Sequence, residues 1–177
     1  MNKISYFNFS KQEIVPIILI LLLAISRLIP HPPNFTPVIA VAIMSGIFFK
    51  RFYFSLTILF FAMLLSDFFI GFHKNMFFVY FSLFIINYFF SNFIININYR
   101  NLLFYSLSGS IIFFIFSNFG VWILGNLYPN NLEGLVKCYI LAIPFFKNTL
   151  LSTLLFTYVL YFSNIYFKRI IFDKKHP

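Results

Sequence analysis

Residues 52–72, FYFSLTILFFAMLLSDFFIGF, contain a single charged side chain, that of Asp67. A helix of about 20 apolar residues is long enough to cross the roughly 30 Å hydrocarbon core of a bilayer. Charged residues flank the stretch at Arg51 and Lys74, where the two membrane surfaces would lie. We therefore predict that residues 52–72 form a transmembrane helix, and the rest of the chain is interpreted from this span outwards.

Five other apolar stretches follow the same pattern, separated by prolines or charged pairs. Pro30, Pro32 and Pro33 stop the first of them, because proline removes a helical hydrogen bond and clashes with the preceding turn. The second is short, and at about 1.5 Å per residue it does not reach a full crossing. Together with residues 52–72 they predict six spans, the other five being residues 14–29, 36–49, 76–95, 102–125 and 149–167.

The longest connection, between spans five and six, contains a second helical pattern. Asn131 is a suitable N-cap, and apolar residues recur at helical spacing from Leu132 to Ile140. Pro144 is expected to end this helix. The sequence thus predicts an all-α fold: a polytopic transmembrane bundle of about six helices, with a short interfacial helix between helices five and six. Residues 1–177 are expected to form one transmembrane domain.

Composition agrees with this class. Of the 177 residues, 61% are hydrophobic and 10% are charged, and the mean hydropathy is +0.90. Soluble domains carry about 25% charged residues, so a soluble globule is excluded. The net charge is +9, but the basic residues occur singly or in pairs between apolar runs, and we expect no nucleic-acid partner. The many Phe and Tyr residues fit an A/T-rich coding sequence equally well and receive no functional weight.

The basic residues predict the orientation. Nine of the 13 Lys and Arg residues fall on the side of the membrane that holds both termini. Positive residues concentrate on the cytoplasmic side of membrane proteins, so we expect an integral protein of the cytoplasmic (inner) membrane of a bacterium with both termini in the cytoplasm. The nine are Lys3, Lys11, Lys50, Arg51, Arg100, Lys168, Arg169, Lys174 and Lys175; the other four are Arg27, Lys74, Lys137 and Lys147.

Polar residues in or next to the spans gather toward the opposite, outward side. Convergent polar groups between apolar walls are typical of a small-molecule pocket. We predict that the substrate-binding residues are Arg27, Asn34, Asp67, Asn118, Trp122 and Asn148.

Several of these residues have alternative interpretations. A carboxylate at the centre of a membrane helix costs about 2.5–3.5 kcal/mol, so Asp67 is expected to be paired or functional. It could equally be solvated at the interface or neutralised by Arg27. Trp122 is more typical of an interfacial anchor than of a stacking platform. His31 and His73 are interpreted as interfacial residues rather than metal ligands.

Ala42 and Gly46 form a small-xxx-small step, which lets another helix approach closely. Packing within the bundle is favoured, and docking of a partner subunit is the alternative. No phosphate-binding loop and no hydrolase or metalloprotease motif is present. We therefore predict neither an enzyme nor a cofactor.

Four stretches carry a family resemblance: SRLIPHPPNFTPVIAVAIMSG at 26–46, DFFIGFH at 67–73, SNFGVW at 117–122 and GLVKCYILAIPFFKNTLL at 134–151. They resemble an uncharacterised family of bacterial membrane proteins over residues 14–165. That family looks related to the S components, the substrate-binding subunits of energy-coupling-factor vitamin transporters. The resemblance implies six helices, cytoplasmic termini and a pocket near the outer face for a vitamin or similar nutrient.

The same resemblance implies partners: a membrane coupling subunit, met by small residues such as Ala42 and Gly46, and two ATPase subunits. Ser152 and Thr153 depart from it, because an acidic residue could be expected there. We expect a substrate-capturing subunit of a small-molecule importer. The main alternative is a non-transporting membrane scaffold of a cell-envelope assembly, and a third is an intramembrane enzyme using His31, His73 and Asp67.

Overall fold

The computed structural model describes residues 11–49, 51–94 and 97–172, and within them all regular structure is helical. A short 3-10 turn, Lys11–Glu13, precedes six α-helices. The predicted all-helical fold is confirmed, although predictions on Lys3, Lys50, Lys174, Lys175 and the end of span four lie outside the described residues. The helices are α1 (Ile14–Ser26), α2 (Val38–Phe49), α3 (Phe52–Ile70), α4 (Met76–Asn92), α5 (Leu102–Leu124) and α6 (Leu132–Phe172).

Helix α2 is the centre of the bundle, and the other five helices pack against it. Every residue from Val38 to Ile47 is buried. Small side chains make this possible at Gly46, where an added Cβ would lie 3.0 Å from the carbonyl oxygen of Asn87 in α4. The backbones of α2 and α4 are therefore in close contact, as small residues allow.

A buried amide joins three helices next to this contact. The Asn87 Nδ2 atom of α4 donates to Ser45 Oγ (2.8 Å) and to the carbonyl oxygen of Ala42 (3.2 Å), both in α2. Ser55 Oγ of α3 donates to Asn87 Oδ1 at 2.8 Å. Because Asn87 is fully buried and both ends of its amide are hydrogen-bonded, it holds α2, α3 and α4 in a defined register.

The predicted interfacial helix is not a separate element. Residues 132–143 are helical, but the helix passes through Pro144 and continues to Phe172, giving 41 residues or about 60 Å. Its first turns are held against α5: Tyr139 Oη donates to the carbonyl oxygen of Ile115 at 2.6 Å, and Cys138 Sγ to that of Asn118 at 3.5 Å. Packing against a neighbouring helix allows a proline to be tolerated in a membrane helix, so Pro144 does not end α6.

Three helices, α3, α5 and α6, are long and apolar enough to cross a membrane. The other three are apolar but shorter, with 12 to 17 residues, and α2 is the shortest, as predicted. Large apolar side chains cover the outside of the bundle, for example Phe68 (73% exposed) and Phe104 (67% exposed). An extended apolar surface of this kind indicates association with a membrane.

Candidate functional site

Three connecting segments, residues 27–37, 71–75 and 125–131, lie at the same end of the bundle, which we call the cavity end. A cavity of about 290 Å³ opens there between α4, α5 and α6. Its polar lining consists of Asn34, His73, Asn75, Ser117, Asn118 and Thr149, and its apolar lining of Val79, Phe113, Phe114, Val121, Ala142, Phe145 and Phe146.

Asn34 reaches the cavity from the proline-rich connection between α1 and α2. Its backbone has φ +61°, a left-handed conformation that asparagine tolerates better than most residues. The chain turns there, and Phe35 N donates to the carbonyl oxygen of Pro32 at 3.0 Å. Asn148 of α6 donates from Nδ2 to the carbonyl oxygen of Pro33 at 3.0 Å, so α6 positions the segment that carries Asn34.

Asn75 lies just before α4 and faces α5. Its Nδ2 donates to the carbonyl oxygen of Ser117 at 3.0 Å. Its Oδ1 is buried and accepts no hydrogen bond from the described residues. A Cβ at Gly120 would overlap Oδ1, so the glycine creates the space that the amide occupies. The oxygen itself has essentially no accessible surface, and other atoms of Asn75 line the cavity.

Asn118 lies on the α5 wall, one turn from Phe114. Its Nδ2 donates to the carbonyl oxygen of Phe114 at 2.8 Å. Opposite it, the Thr149 hydroxyl of α6 donates to the carbonyl oxygen of Phe145 at 3.1 Å. Phe114 and Phe146 pack edge to face, with ring centroids 5.1 Å apart. Rigid aromatic packing thus holds the polar groups of both walls in place.

His73 is the one histidine among the described residues that line the cavity. No Asp, Glu, Lys or Arg is among the described residues that line it. Within the described ranges, no three His, Cys, Asp or Glu side chains are grouped so that they could hold a metal ion. The arrangement can therefore bind by amide, hydroxyl and imidazole hydrogen bonds between aromatic walls.

Arg27 and Asp67 form an ion pair outside the cavity lining. Arg27 Nη1 lies 2.8 Å from Asp67 Oδ1, and the side chains are 13% and 7% exposed. The same nitrogen donates to Ser66 Oγ at 2.6 Å, and Tyr80 Oη donates to Asp67 Oδ2 at 2.7 Å. The structure shows the ion pair that the sequence analysis gave as one of the interpretations of Asp67, and the pair with its hydrogen bonds joins α1, α3 and α4.

Trp122 and Asn148 also lie outside the lining. Trp122 Nε1 donates to the carbonyl oxygen of Pro129 at 3.1 Å, and its ring packs against Phe119 with centroids 5.5 Å apart. Its hydrogen bond holds the connection between α5 and α6 against the end of α5. Of the six predicted pocket residues, the structure thus brings Asn34 and Asn118 to the cavity.

The prediction that a partner subunit docks on Ala42 and Gly46 does not fit the structure. Ala42 is fully buried, and Gly46 faces the backbone of α4. No partner subunit can reach either residue in this conformation. The favoured alternative, packing within the bundle, describes their contacts.

Sequence reasoning missed Asn75, Ser117, Thr149 and the phenylalanine walls as cavity residues. Asn75 directly precedes the predicted fourth span on the side shared with Asn34 and Asn118, and that position was the available signal. The phenylalanines could not be distinguished from the general aromatic excess.

The fold and the cavity define a class of protein: an all-helical bundle with an apolar exterior and a polar, largely uncharged cavity at one end. Within that class, the chain belongs to a family of unknown function, DUF6580, whose model matches residues 7–172. Neither a curated protein nor a solved structure matches the chain. Membership of an uncharacterised family is confirmed, and the relation to S components stays a prediction.

Proposed function

We propose that this protein is the substrate-capturing subunit of a small-molecule importer, integral to the cytoplasmic membrane of a bacterium. The cavity supports this function. It combines four phenylalanine side chains with amide groups from three separate segments, and small-molecule sites combine apolar walls with a few convergent polar groups in this way. Its volume of about 290 Å³ is just below the usual range of about 300–1,000 Å³.

The lining favours an uncharged solute with hydrogen-bonding edges. A charged group in an apolar site without a partner of opposite sign loses its hydration at a large cost. Asn34, Asn75 and Asn118 each bring an amide side chain to the lining, and an amide can both donate and accept hydrogen bonds. The function assigned is capture, not catalysis.

The orientation follows from the basic residues. The cavity end carries Arg27, Lys74, Lys137 and Lys147, and the sequence predicts that the other nine basic residues lie on the side of both termini. With both termini in the cytoplasm, the cavity faces the outside, where an importer meets its solute.

Energy for import would come from partners. The sequence has no phosphate-binding loop, and Asp67, the one acid within the six spans predicted from the sequence, is paired with Arg27. A membrane coupling subunit and ATPase subunits, as in the S components that the sequence resembles, would supply it. Because Ala42 and Gly46 are buried, such a subunit would dock on another face.

A non-transporting membrane scaffold is the second candidate, and the contacts of the predicted pocket residues favour it. Arg27 and Asp67 bond to each other, Trp122 to Pro129 and Asn148 to Pro33. In a scaffold, these polar side chains would serve only to join the helices and their connections.

Mass spectrometry of the small molecules that co-purify with the protein distinguishes the two. We expect one uncharged solute in the wild type, and its loss in Asn118→Leu, which replaces a cavity amide. Asn92→Leu is a matched control, since Asn92 Nδ2 also donates to the carbonyl oxygen four residues earlier, at 2.8 Å, but lies exposed on α4. A protein that purifies without solute in a stable larger complex would contradict capture and favour the scaffold.

A further inference from the structure

Helix α6 is much longer than α5, the helix before it in the chain. Its 41 residues make it about 60 Å long, whereas the 23 residues of α5 make about 35 Å. The connection of residues 125–131 joins the two helices at the cavity end, and from there they run side by side. Because both helices leave the same end, α6 continues past the far end of α5.

Hydrogen bonds between α6 and the α5 region locate the start of this extension. Tyr139 bonds to the carbonyl oxygen of Ile115, in the half of α5 nearer the cavity end. Tyr158 Oη donates to the carbonyl oxygen of Tyr99 at 2.9 Å, in the connection just before α5. Residues 159–172 of α6 therefore lie beyond this connection, and at 1.5 Å per residue they cover about 21 Å.

The last two turns of this extension are free of the bundle. Leu160 and Asn164 are still buried, at 1% and 8% exposed. None of residues 165–171 is buried, and Tyr166 is 61% exposed. At about 100° per residue, consecutive residues over two turns point to all sides of a helix, so the described helices leave every side of it open. We call residues 165–171 the projecting end.

The projecting end combines apolar, aromatic and basic side chains. Its sequence is IYFKRII, with Lys168 and Arg169 as its charged residues. Large apolar side chains exposed on every side are unfavourable in water, and tyrosine is enriched where the hydrocarbon of a bilayer meets the headgroups. Lysine and arginine extend their charged ends to the headgroups while their methylene chains stay in apolar surroundings. These residue types therefore fit the interfacial region of a bilayer.

The charge at this end of the bundle selects the kind of lipid. The basic residues that the structure describes there are Lys11, Arg51, Arg100, Lys168 and Arg169. Glu13 is the acid described there, and it pairs with Arg51. In the sequence, Asp173 is followed by Lys174 and Lys175, so the excess of positive charge continues. Basic clusters next to a membrane helix attract anionic lipids.

We propose that the projecting end of α6 is a binding site for anionic phospholipid, with its apolar side chains against the acyl chains and Lys168 and Arg169 on the lipid phosphates. Arginine binds a phosphate through two parallel hydrogen bonds, and lysine binds it as a point charge. A zwitterionic lipid has the same phosphate but also a cation that the basic surface repels, so it binds less well. This site does not depend on whether the cavity captures a solute, or on which end of the bundle faces the cytoplasm.

Tryptophan quenching in lipid nanodiscs tests the proposal. Trp122 is the one native tryptophan, so Trp122→Phe with Tyr166→Trp places a single reporter on the projecting end. The nanodiscs contain equal parts of phosphatidylglycerol and phosphatidylcholine, and either lipid carries bromine on its acyl chains, which quenches at contact. Phe61→Trp in the same background is the control reporter, because Phe61 lies in the middle of α3 and is 57% exposed.

The measured quantity is the ratio of quenching by brominated phosphatidylglycerol to quenching by brominated phosphatidylcholine. We expect a ratio of roughly three at Tyr166→Trp and about one at Phe61→Trp, because basic residues near the surface concentrate anionic lipid. Adding Lys168→Gln and Arg169→Gln should lower the first ratio to about one. The exchange Lys168→Arg with Arg169→Lys keeps both charges and should preserve the ratio.

A second pair of lysines on α6 is the matched charge control. Lys137→Gln with Lys147→Gln removes two charges at the cavity end of the same helix, where both side chains are exposed, and should leave the ratio at Tyr166→Trp unchanged. A decrease as large as that caused by Lys168→Gln and Arg169→Gln would show an effect of net charge alone and would overturn the proposal.

Three further outcomes would overturn the proposal. A ratio near one at Tyr166→Trp with both basic residues present would show contact with lipid but no preference for the anionic headgroup. Quenching by neither lipid would show that the projecting end faces water or a protein, such as a second copy of the chain. A preference that disappears in inorganic phosphate at the same ionic strength would show a general anion site instead of a lipid site.

Discussion

The half of the bundle built from α1 to α4 pairs its buried polar groups, whereas the half built from α5 and α6 leaves several without partners. Asn87 is bonded at both ends of its amide, and Asp67 accepts from Arg27 and Tyr80. Among the described residues, the unpaired buried side-chain atoms are those of Ser106, Ser110, Thr157 and Asn164 on α5 and α6, Asn75 Oδ1 at the cavity, and Arg27 Nε. Arg27 Nε alone lies in the first half away from the cavity.

Buried polar side chains of the same types therefore have different roles in the two halves. A fully bonded network fixes the register of the helices that it joins. A buried hydroxyl or amide oxygen without a partner fixes no such register. We call α1 to α4 the frame; in the proposed function, the α5–α6 side is the part that binds the solute.

The largest expected effect is at the ion pair of the frame. Asp67→Asn removes the negative charge beside Arg27 and leaves a buried cation unpaired, which costs about 3–5 kcal/mol. Thermal unfolding can be followed with a thiol-reactive dye, because Cys138 is the single cysteine and is 2% exposed. We expect a large decrease in the unfolding temperature.

The double variant Arg27→Gln, Asp67→Asn is the control for this prediction. It removes both charges and should recover much of the loss, since no uncompensated charge is left. A single variant as stable as the wild type would show that the pair does not hold the frame together.

The tightness of helix packing in the two halves can be compared at two glycines, Gly46 and Gly109. At Gly46 a Cβ would meet backbone atoms of α4 at 3.0 Å, whereas at Gly109 it would meet the end of the Ile43 side chain at 2.7 Å. Overpacking costs about 1–3 kcal/mol, and replacing a helical glycine with alanine returns about 1 kcal/mol. We expect Gly46→Ala to destabilise by about 1–2 kcal/mol, because backbone cannot move aside, and Gly109→Ala to be close to neutral.

Thermal unfolding of the two glycine variants in one detergent provides the comparison. A greater loss in Gly109→Ala than in Gly46→Ala would contradict the view that the α2–α4 contact is the tighter one.

The six helices could be predicted because their signals are local. Runs of apolar residues and the prolines and charges between them determine where each span begins and ends. The exception is α6. Pro144 is a local signal to stop, but the bonds of Cys138 and Tyr139 to α5 are tertiary, and local patterns do not contain them. Tertiary packing also determines what Ala42 and Gly46 contact, because their spacing alone fits an internal and an external contact equally well.

The cavity was predictable only in part. The sequence placed Asn34 and Asn118 at the correct end of the bundle, since the depth of a residue follows from its position in a span. The direction in which each side chain points depends on helix rotation, which the sequence leaves open when apolar residues surround the helix. For that reason Arg27 and Asp67 share the end but not the cavity, and Asn75 was missed.

The smallest expected effect on stability is the difference between two serine-to-alanine variants, one from each half. Ser55 Oγ donates to Asn87 Oδ1 in the frame, whereas Ser110 Oγ has no partner among the described residues, and both side chains are 0% exposed. Ser55→Ala leaves Asn87 Oδ1 without its donor, and we expect a loss of roughly 0.5–1.5 kcal/mol, the range for hydrogen bonds between membrane helices. Ser110→Ala removes a hydroxyl that no protein group needs, so its effect should stay within about 0.5 kcal/mol.

Thermal unfolding of these variants, each made in the same background, decides whether the two halves differ as described. If Ser110→Ala were as costly as Ser55→Ala, the Ser110 hydroxyl would have a strong partner, and the α5–α6 side would be as tightly bonded as the frame. If Ser55→Ala were neutral, the Asn87 network would not be what holds α2, α3 and α4 together.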